Sequence, residues 1–198
     1  MPGSLAKDRE HVIPSKHRYT HRMLKQKPVR FPGGEVRITD TSNFPISKTT
    51  AAAHVTINPH GLREMHWHPN ADEWSFIIRG KARVTIFASN GNARTFNYQA
   101  GDVGIVPKNN AHFVENIGDE PVEMLEVFRA PKFEDFSVEQ WLAQTPATMV
   151  AEHMNLTGAR KEEFLKSLSK EKMAVKPPLK KSKSLSDLKI SEDYEVLY

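Results

Sequence analysis

Short strand-like segments, each closed by turn residues, fill the middle of this 198-residue chain. Glycine beside aspartate or asparagine separates several of these segments, and Asn90-Gly91 is a strong signal for a β-hairpin. Many short strands at this spacing are typical of an antiparallel sandwich or barrel, so we predict an all-β fold. The predicted strands cover residues 35–40, 49–57, 72–79, 81–88, 93–98, 103–106, 111–116 and 121–129.

Helical patterns stand towards both ends of the chain. A short helix is predicted over 17–24, before the strands begin. After the strands, Ser137 has the character of an N-cap, and Gln140 occupies the capping-box position. Helices are therefore predicted over 138–142, from Pro146 towards His153, and over 160–168.

The two ends of the chain are polar and basic, whereas the middle is acidic. Residues 1–30 carry eight Lys or Arg and two acidic residues, and residues 160–198 carry ten and seven. The remaining middle carries ten and fifteen, which argues against a nucleic-acid-binding body. We predict a flexible arm over 1–17, a barrel with its lead-in over 18–136, a helical segment over 137–177 and a disordered basic tail over 178–198.

Composition excludes several kinds of site and location. Cysteine is absent, so the chain has no disulfide, no thiolate ligand and no cysteine nucleophile. No apolar run approaches the length of about eighteen residues that a membrane helix needs, so no membrane partner is expected. The amino terminus has no apolar segment typical of a secretory signal. A cytoplasmic location is expected, or a secreted one if a leader has been removed.

Two histidines and a glutamate lie close together in the sequence. His66 and His68 are two residues apart, so they share one face of a strand, and Glu73 follows five residues after His68. A His-x-His pair alone is usually solvated, but Glu73 and a fourth candidate, His112, indicate a site for a divalent first-row metal. His17 and His21, at helical spacing, are a weaker metal pair because no third ligand stands nearby.

These residues resemble the two motifs of the cupin superfamily. Gly61-x4-His66-x-His68-x4-Glu73-x6-Gly80 is similar to the first motif, and Gly101-x5-Pro107-x-Asn109-x2-His112-x3-Asn116 to the second. Two residues depart from the usual pattern. His60 stands where the first glycine is expected, and Asn109 replaces the glycine after the proline. Asparagine tolerates the left-handed backbone, so the second turn should survive.

From about Arg18 to Pro177 the chain resembles one branch of cupins in particular. These are the oxalate decarboxylases, bicupin enzymes that bind manganese in each half, and the resemblance is to their C-terminal half. It is carried by residues 33–38, 63–70, 93–96, 99–104 and 115–121. The resemblance implies a single cupin domain, that is, a jelly-roll β-barrel, with short C-terminal helices.

The resemblance also implies a metal and a substrate. His66, His68, Glu73 and His112 would be the four ligands of Mn(II), leaving two adjacent positions open on an octahedral ion. Fe, Ni and Zn are not excluded by this donor set. Oxalate would be converted to formate and CO2, with dioxygen as co-catalyst.

The family pattern assigns Arg63 to the oxalate carboxylate. Strict strand alternation would instead point Glu64 towards the ligands, so an inward Arg63 requires a bend near Gly61. Arg63 is therefore a candidate catalytic residue.

Two carboxylates are candidates for proton transfer. Glu126 shares parity with Val122, Met124 and Phe128, and a carboxylate on such an apolar row suits a general acid or base or, alternatively, a structural partner of Arg63. The family's tyrosine beside this glutamate corresponds to Phe133. The N-terminal half of bicupins carries a catalytic glutamate on a short lid, and Asp135 or Glu134 stands in the equivalent segment. The plainer interpretation of Asp135 is an acid preceding a helix, favoured by the helix dipole.

The sequence is compatible with three functions. The first is a decarboxylase-like lyase, the second a metal-binding cupin without turnover, and the third an oxalate oxidase that produces H2O2. A homo-oligomer is also expected, because Trp74, Phe76 and Ile78 form an outward apolar row that needs a cover.

Overall fold

The computed structural model describes residues 19–168 and 174–178, which form two antiparallel β-sheets and three short helices. The predicted disordered tail, apart from Pro178, lies outside the described residues. The strands are β1 (Val29–Phe31), β2 (Gly34–Thr39), β3 (Ala51–Ile57), β4 (Leu62–Trp67), β5 (Glu73–Arg79), β6 (Lys81–Phe87), β7 (Ala93–Gln99), β8 (Val103–Val106), β9 (Ala111–Asn116), β10 (Val122–Phe128), β11 (Phe136–Ser137) and β12 (Val175–Lys176). The helices are α1 (Val138–Gln144), α2 (Ala147–His153) and α3 (Gly158–Ser167).

The two sheets enclose the apolar core of a jelly roll. One sheet has the order β1-β2-β3-β10-β5-β8, and the other has the order β11-β4-β9-β6-β7, with β12 added beside β4. From β3 to β10 the chain crosses repeatedly between the sheets, and this crossing produces the barrel-like enclosure. The all-β prediction is confirmed. Buried core side chains include Val55, Ile57, Ile77, Val84, Val114, Met124 and Phe128.

Side chains on β5 alternate between core and surface as the sequence predicts. Glu73 and Ile77 are 2% and 1% exposed, whereas Trp74 and Ile78 are 41% and 43% exposed. Alternation of this kind follows from the pleat of a strand that has one face on the core. It turns Glu73 towards the barrel interior and leaves an apolar row on the outside.

Three turns depend on left-handed backbone. Asn90 and Gly91, with φ of 63° and 72°, close the predicted hairpin between β6 and β7. His60 and Asn109 adopt φ of 59° and 66° at the two positions where the motif departs from glycine. The asparagine therefore preserves its turn as expected, while His60 takes a conformation that is uncommon for a non-glycine residue.

The predicted helix over 17–24 is wrong in the part that can be judged. Residues 17 and 18 lie outside the described residues, and only a 3-10 turn over Met23–Lys25 follows. Gln26 explains the early end, because its side-chain amide donates to the carbonyl of Ile38 at 2.8 Å and draws the chain onto β2. His21 contacts Gln26 rather than a metal cluster, with Nε2 and Oε1 2.8 Å apart.

The helices after the barrel are confirmed, with boundaries shifted by a few residues. Ser137 is the N-cap of α1, and its Oγ accepts a hydrogen bond from the N–H of Gln140 at 3.3 Å. Within residues 19–168 and 174–178, no helix has the length and apolar character needed to cross a membrane.

The short strand β12 was not predicted, yet it closes one side of the barrel. Its residues Val175 and Lys176 pair with Arg63 and Leu62 of β4. Gly33 makes this approach possible, because a Cβ there would lie 1.9 Å from the carbonyl oxygen of Lys176. The N–H of Gly33 donates to the carbonyl of Val175 at 3.2 Å. Residues 175 and 176 are thus packed against the strand that carries Arg63 and His66.

Candidate metal centre

Four side chains from three strands and one loop converge inside the barrel. His66 lies near the end of β4, His68 follows that strand, Glu73 begins β5 and His112 lies on β9. One ligand atom from each lies within 4.8 Å of those of the others, and all four residues are at most 2% exposed. Because His66 and His112 are directly paired across the two strands, the sheet register brings them together. The four predicted ligands therefore form one cluster.

Backbone carbonyls fix the orientation of all three imidazoles. Nδ1 of His66 lies 2.6 Å from the carbonyl oxygen of Glu64, and Nδ1 of His68 lies 2.7 Å from that of Glu134. Nδ1 of His112 lies 3.0 Å from the carbonyl oxygen of Asn110. A carbonyl oxygen only accepts, so each Nδ1 carries the proton and each Nε2 is left with its lone pair facing the cluster.

The carboxylate of Glu73 lies among these nitrogens. Its Oε2 is 3.0 Å from Nε2 of His68 and 3.1 Å from Nε2 of His112. Its Oε1 accepts a hydrogen bond from the hydroxyl of Ser75 at 2.6 Å. Ser75 was not selected from the sequence, although it stands two residues after Glu73 and so shares its face of the strand.

The surroundings of the cluster favour the neutral form of His66 and the ionised form of Glu73. Burial, together with the nearby Arg63 and the other two imidazoles, lowers the pKa of His66 well below its usual value. Burial alone would raise the pKa of Glu73, but the contacts with His112 and His68 outweigh it and hold that pKa well below its usual value. Neutral imidazole and ionised carboxylate are the forms that bind metals.

The cluster fits a divalent first-row metal by two observations. Three nitrogen donors and one carboxylate suit Mn, Fe, Ni or Zn. Nε2 of His66 is buried and has no hydrogen-bond partner among the described residues, which is costly for a polar atom unless something binds it. A metal ion at the centre of the cluster would satisfy that nitrogen.

Arg63 lies beside this cluster because β4 is irregular. The pairing of β4 with β9 shifts register between Arg63 and His66, so the bend lies after Arg63 rather than near Gly61 as expected. Arg63 and Glu64 are consequently both buried, at 2% and 1% exposure, while Met65 is 54% exposed. A β-bulge permits this, since its extra residue interrupts the strict alternation of side chains.

The guanidinium of Arg63 is held by a carboxylate from a distant part of the chain. Nη2 donates to Oδ2 of Asp135 at 2.7 Å, and Nη1 donates to the carbonyl oxygen of Ala174 at 3.4 Å. Burial alone would lower the pKa of Arg63, but Asp135, Glu126 and Glu64 raise it above its usual value. Arg63 is therefore a buried, permanently charged group that already binds a carboxylate.

Of the other sequence candidates, Asp135 contacts this arginine, whereas Phe133 and Glu134 contact His68. Asp135 does not act as a helix-terminal acid, because α1 begins at Val138 and the carboxylate turns to Arg63 instead. Glu126 is 1% exposed on the inner face of β10, as its parity indicated. Phe133 packs its ring 5.5 Å from that of His68. Glu134 is exposed and contributes only its carbonyl oxygen.

A family model described as Cupin matches residues 21–162. The chain belongs to the cupin family. Oxalate decarboxylase OxdC of Bacillus subtilis is 50% identical over 179 residues, covering 88% of this chain and 45% of that protein. An oxalate decarboxylase of Arthroderma benhamiae is 43% identical over 141 residues, covering 70% of this chain and 33% of that protein.

Solved structures of the Bacillus enzyme agree with these similarities. One, of a mutant, has a TM-score of 0.78 at 48% identity and covers 89% of this chain and 46% of its own. Another, reported in a study of that enzyme's Mn(II) centres, has a TM-score of 0.77 at 48% identity and covers 92% of this chain and 47% of its own. This chain spans about half the length, or less, of these relatives.

Proposed function

We propose that this cupin is a manganese-dependent, oxalate decarboxylase-like enzyme that converts oxalate to formate and CO2. The observation that carries the proposal is the position of Arg63, a buried cation bound to a carboxylate and three residues from a member of the histidine cluster. Oxalate has two carboxylates, so one would bind the metal and the other would bind Arg63. Similarity to oxalate decarboxylases at up to 50% identity supports the same substrate.

The metal would be held by His66, His68, Glu73 and His112, with Ser75 fixing the carboxylate. Mn(II) bound there would supply Lewis acidity, stabilising negative charge on the substrate, with dioxygen as co-catalyst. The same donors suit Fe, Ni or Zn, so the choice of Mn(II) depends on the relatives.

Arg63 would hold the far carboxylate of oxalate. Its planar guanidinium donates two parallel hydrogen bonds to a carboxylate, which fixes orientation as well as position. The group is nearly fully buried, so its charge is poorly screened by water and stabilises an anion strongly.

Glu126 and Asp135 are the proposed proton-transfer groups. Hydrogen oxalate becomes CO2 and formate when its carbon–carbon bond breaks, its acidic proton leaves an oxygen and a proton is added to the remaining carbon. The reaction therefore needs a group that takes one proton and returns one. Asp135 lies 2.7 Å from Nη2 of Arg63, and Glu126 is a buried carboxylate whose charge acts on the same guanidinium, so both are placed beside the proposed substrate anchor.

We also propose that the chain forms a homo-oligomer through the outer face of β5 and β8. Trp74, Ile78, Val103 and Ile105 are 41–57% exposed on these neighbouring strands. A contiguous apolar face of this kind is typical of a protein interface, and an identical copy offers a matching face. Light scattering on the wild type and on Ile105→Glu tests this, with a monomeric wild type contradicting it.

The enzymatic proposal is tested by incubating the Mn-loaded protein with oxalate at mildly acidic pH and assaying formate and peroxide. Formate without peroxide is the expected result. Peroxide with little formate would indicate an oxalate oxidase instead. Neither product, at stoichiometric metal content, would contradict both reactions and leave a metal-binding cupin without turnover.

A further inference from the structure

The segment of residues 134–137, here called the cover segment, runs along the end of β4, which carries His66. Phe136 and Ser137 form β11, which pairs antiparallel with Trp67 and His66. The segment therefore lies directly against the cluster of candidate metal ligands. It is also the part of the chain that brings Asp135 to Arg63.

Besides the strand pairing, three hydrogen bonds to β4 and to His68 hold the cover segment, and they differ in kind. The carbonyl of Glu134 accepts from Nδ1 of His68, and Asp135 accepts from Arg63, both at 2.7 Å. These two contacts engage a metal ligand and the proposed substrate arginine. The third joins Ser137 to Glu64, whose Oε2 accepts from the serine hydroxyl at 2.7 Å.

Both residues of the Ser137–Glu64 contact are held in place by further hydrogen bonds. The hydroxyl of Ser137 also accepts from the first turn of α1, so the serine is tied to that helix. The backbone N–H of Glu64 donates to the carbonyl of Ala174 at 3.1 Å, and its carbonyl accepts from His66. Ser137 and Glu64 are 2% and 1% exposed, so water does not compete for their hydrogen bond.

The Asp135–Arg63 contact, in contrast, can be replaced by a ligand, because a substrate carboxylate would need the same donor. Nη1 of Arg63 is already directed to the carbonyl of Ala174, and Nη2 to Asp135. A second carboxylate that binds the guanidinium through both of these nitrogens competes with Asp135 for Nη2. Like charges at one guanidinium would otherwise face each other in a dry site.

We propose that Asp135 is an internal carboxylate that a dicarboxylate ligand displaces from Arg63, while the Ser137–Glu64 hydrogen bond keeps the cover segment anchored. Ser137 and Glu64 are positioning residues, since they act through Asp135. The proposal rests on the proposed role of Arg63 in binding oxalate. Its physical basis is effective concentration, because a tethered carboxylate competes far better than a free one.

Hydrogen exchange in the absence of oxalate tests the anchor. In the Mn-loaded full chain, Ser137→Ala and Glu64→Met should raise exchange of the amides of residues 134–137 by about tenfold. Glu64→Gln keeps an oxygen acceptor and should restore wild-type exchange, and Ser89→Ala, in the β6–β7 turn, is the matched control. Wild-type exchange in both Ser137→Ala and Glu64→Met would overturn the anchor.

Oxalate binding by calorimetry tests the displacement. Asp135→Asn should tighten oxalate binding about five- to tenfold, and Ser137→Ala should tighten it by a smaller factor because the competitor is less well held. In the Asp135→Asn background, Ser137→Ala should add nothing, since the competitor is already gone. An equal effect of Ser137→Ala in both backgrounds would overturn the proposal, as would unchanged or weaker binding by Asp135→Asn.

The two measurements separate this inference from the proposed function. Absence of oxalate binding in every variant would contradict the role of Arg63 in binding oxalate, and with it the displacement of Asp135. The exchange experiment would still decide whether Ser137 and Glu64 anchor the cover segment.

Discussion

Arg63 and Asp135 form a buried ion pair, with Nη2 and Oδ2 2.7 Å apart and side chains 2% and 7% exposed. The pair joins β4 to the segment before α1, across 72 residues of sequence. Breaking such a pair leaves an uncompensated buried charge, so its partners are strongly held together. An anion that displaces Asp135 must bind the guanidinium of Arg63 at least as strongly as Asp135 does.

His66→Ala should abolish stoichiometric metal binding, because it removes one of three nitrogen donors from a closed cluster. Metal analysis after reconstitution with Mn(II) checks this. His153→Ala, an exposed histidine in the last turn of α2, is the control and should keep full metal content. Full occupancy in His66→Ala would mean that the metal binds elsewhere.

Ser75→Ala should weaken metal binding about 10- to 100-fold without removing a ligand. The serine hydroxyl holds Oε1 of Glu73 at 2.6 Å, and its loss frees the carboxylate to rotate. Titration with Mn(II) in competition with a chelator measures the change. Ser89→Ala, in the turn between β6 and β7, should bind as the wild type does, and equal affinities of all three proteins would contradict this role of Ser75.

Parts of the cluster could be predicted from local rules, whereas His112 lies on another strand and was supported by the resemblance to the second cupin motif. Strand alternation places Glu73 and Ser75 on one face of β5, and the spacing of His66 and His68 places them together. The left-handed turn at Asn109 followed from the tolerance of asparagine for that backbone. Each of these inferences needs only residues that are neighbours in sequence.

The surroundings of Arg63 could not be predicted in the same way. Its inward direction depends on a register shift against β9, which local alternation does not reveal. Its partners, Asp135 and Ala174, are 72 and 111 residues away and are brought there by β11 and β12, two-residue strands without a sequence pattern. The predicted helix at 17–24 failed for a related reason, since Gln26 bonds to β2.

Arg63→Lys should weaken oxalate binding about 10- to 100-fold while metal content stays constant. Lysine keeps the charge but lacks the planar fork that binds a carboxylate with two hydrogen bonds. Calorimetric titration of oxalate into the Mn-loaded protein measures the change. Arg79→Lys is the control, because Arg79 pairs with Glu123 at the surface. Unchanged oxalate affinity in Arg63→Lys would remove this residue from the site.

Glu126→Gln should reduce formate production about 10²- to 10⁴-fold and leave metal content and oxalate affinity nearly unchanged. The amide preserves the shape of the buried side chain but can no longer accept and return a proton. Steady-state kinetics with a formate assay measure the loss. Glu123→Gln, on the same strand with its side chain at the surface, should keep full activity. Full activity in Glu126→Gln would exclude Glu126 from proton transfer.

His54 should make the fold less stable in mildly acidic solution. Burial lowers the pKa of His54 below its usual 6.5, with Glu123 and Glu35 opposing the shift and Arg37 assisting it. Below about pH 6.5 the unfolded chain therefore binds more protons than the folded one, so the free energy of unfolding falls as pH decreases. Above that pH the contribution of His54 is constant.

Urea unfolding of the metal-free protein between about pH 5 and 8 tests this dependence. His54→Gln should lose part of the decline in stability below about pH 6.5, whereas His153→Gln should retain all of it. A decline of the same size in His54→Gln and the wild type would assign the acid sensitivity to other groups.

Formate production as a function of metal occupancy tests the central claim most directly. Metal-free protein is reconstituted with increasing amounts of Mn(II), up to one ion per chain, and supplied with oxalate in air. The account predicts that formate and CO2 form in equal amounts, at a rate that rises linearly with bound Mn(II) and stays at background in His112→Ala. No formate at one bound Mn(II) per chain, or the same rate in His112→Ala, would contradict it.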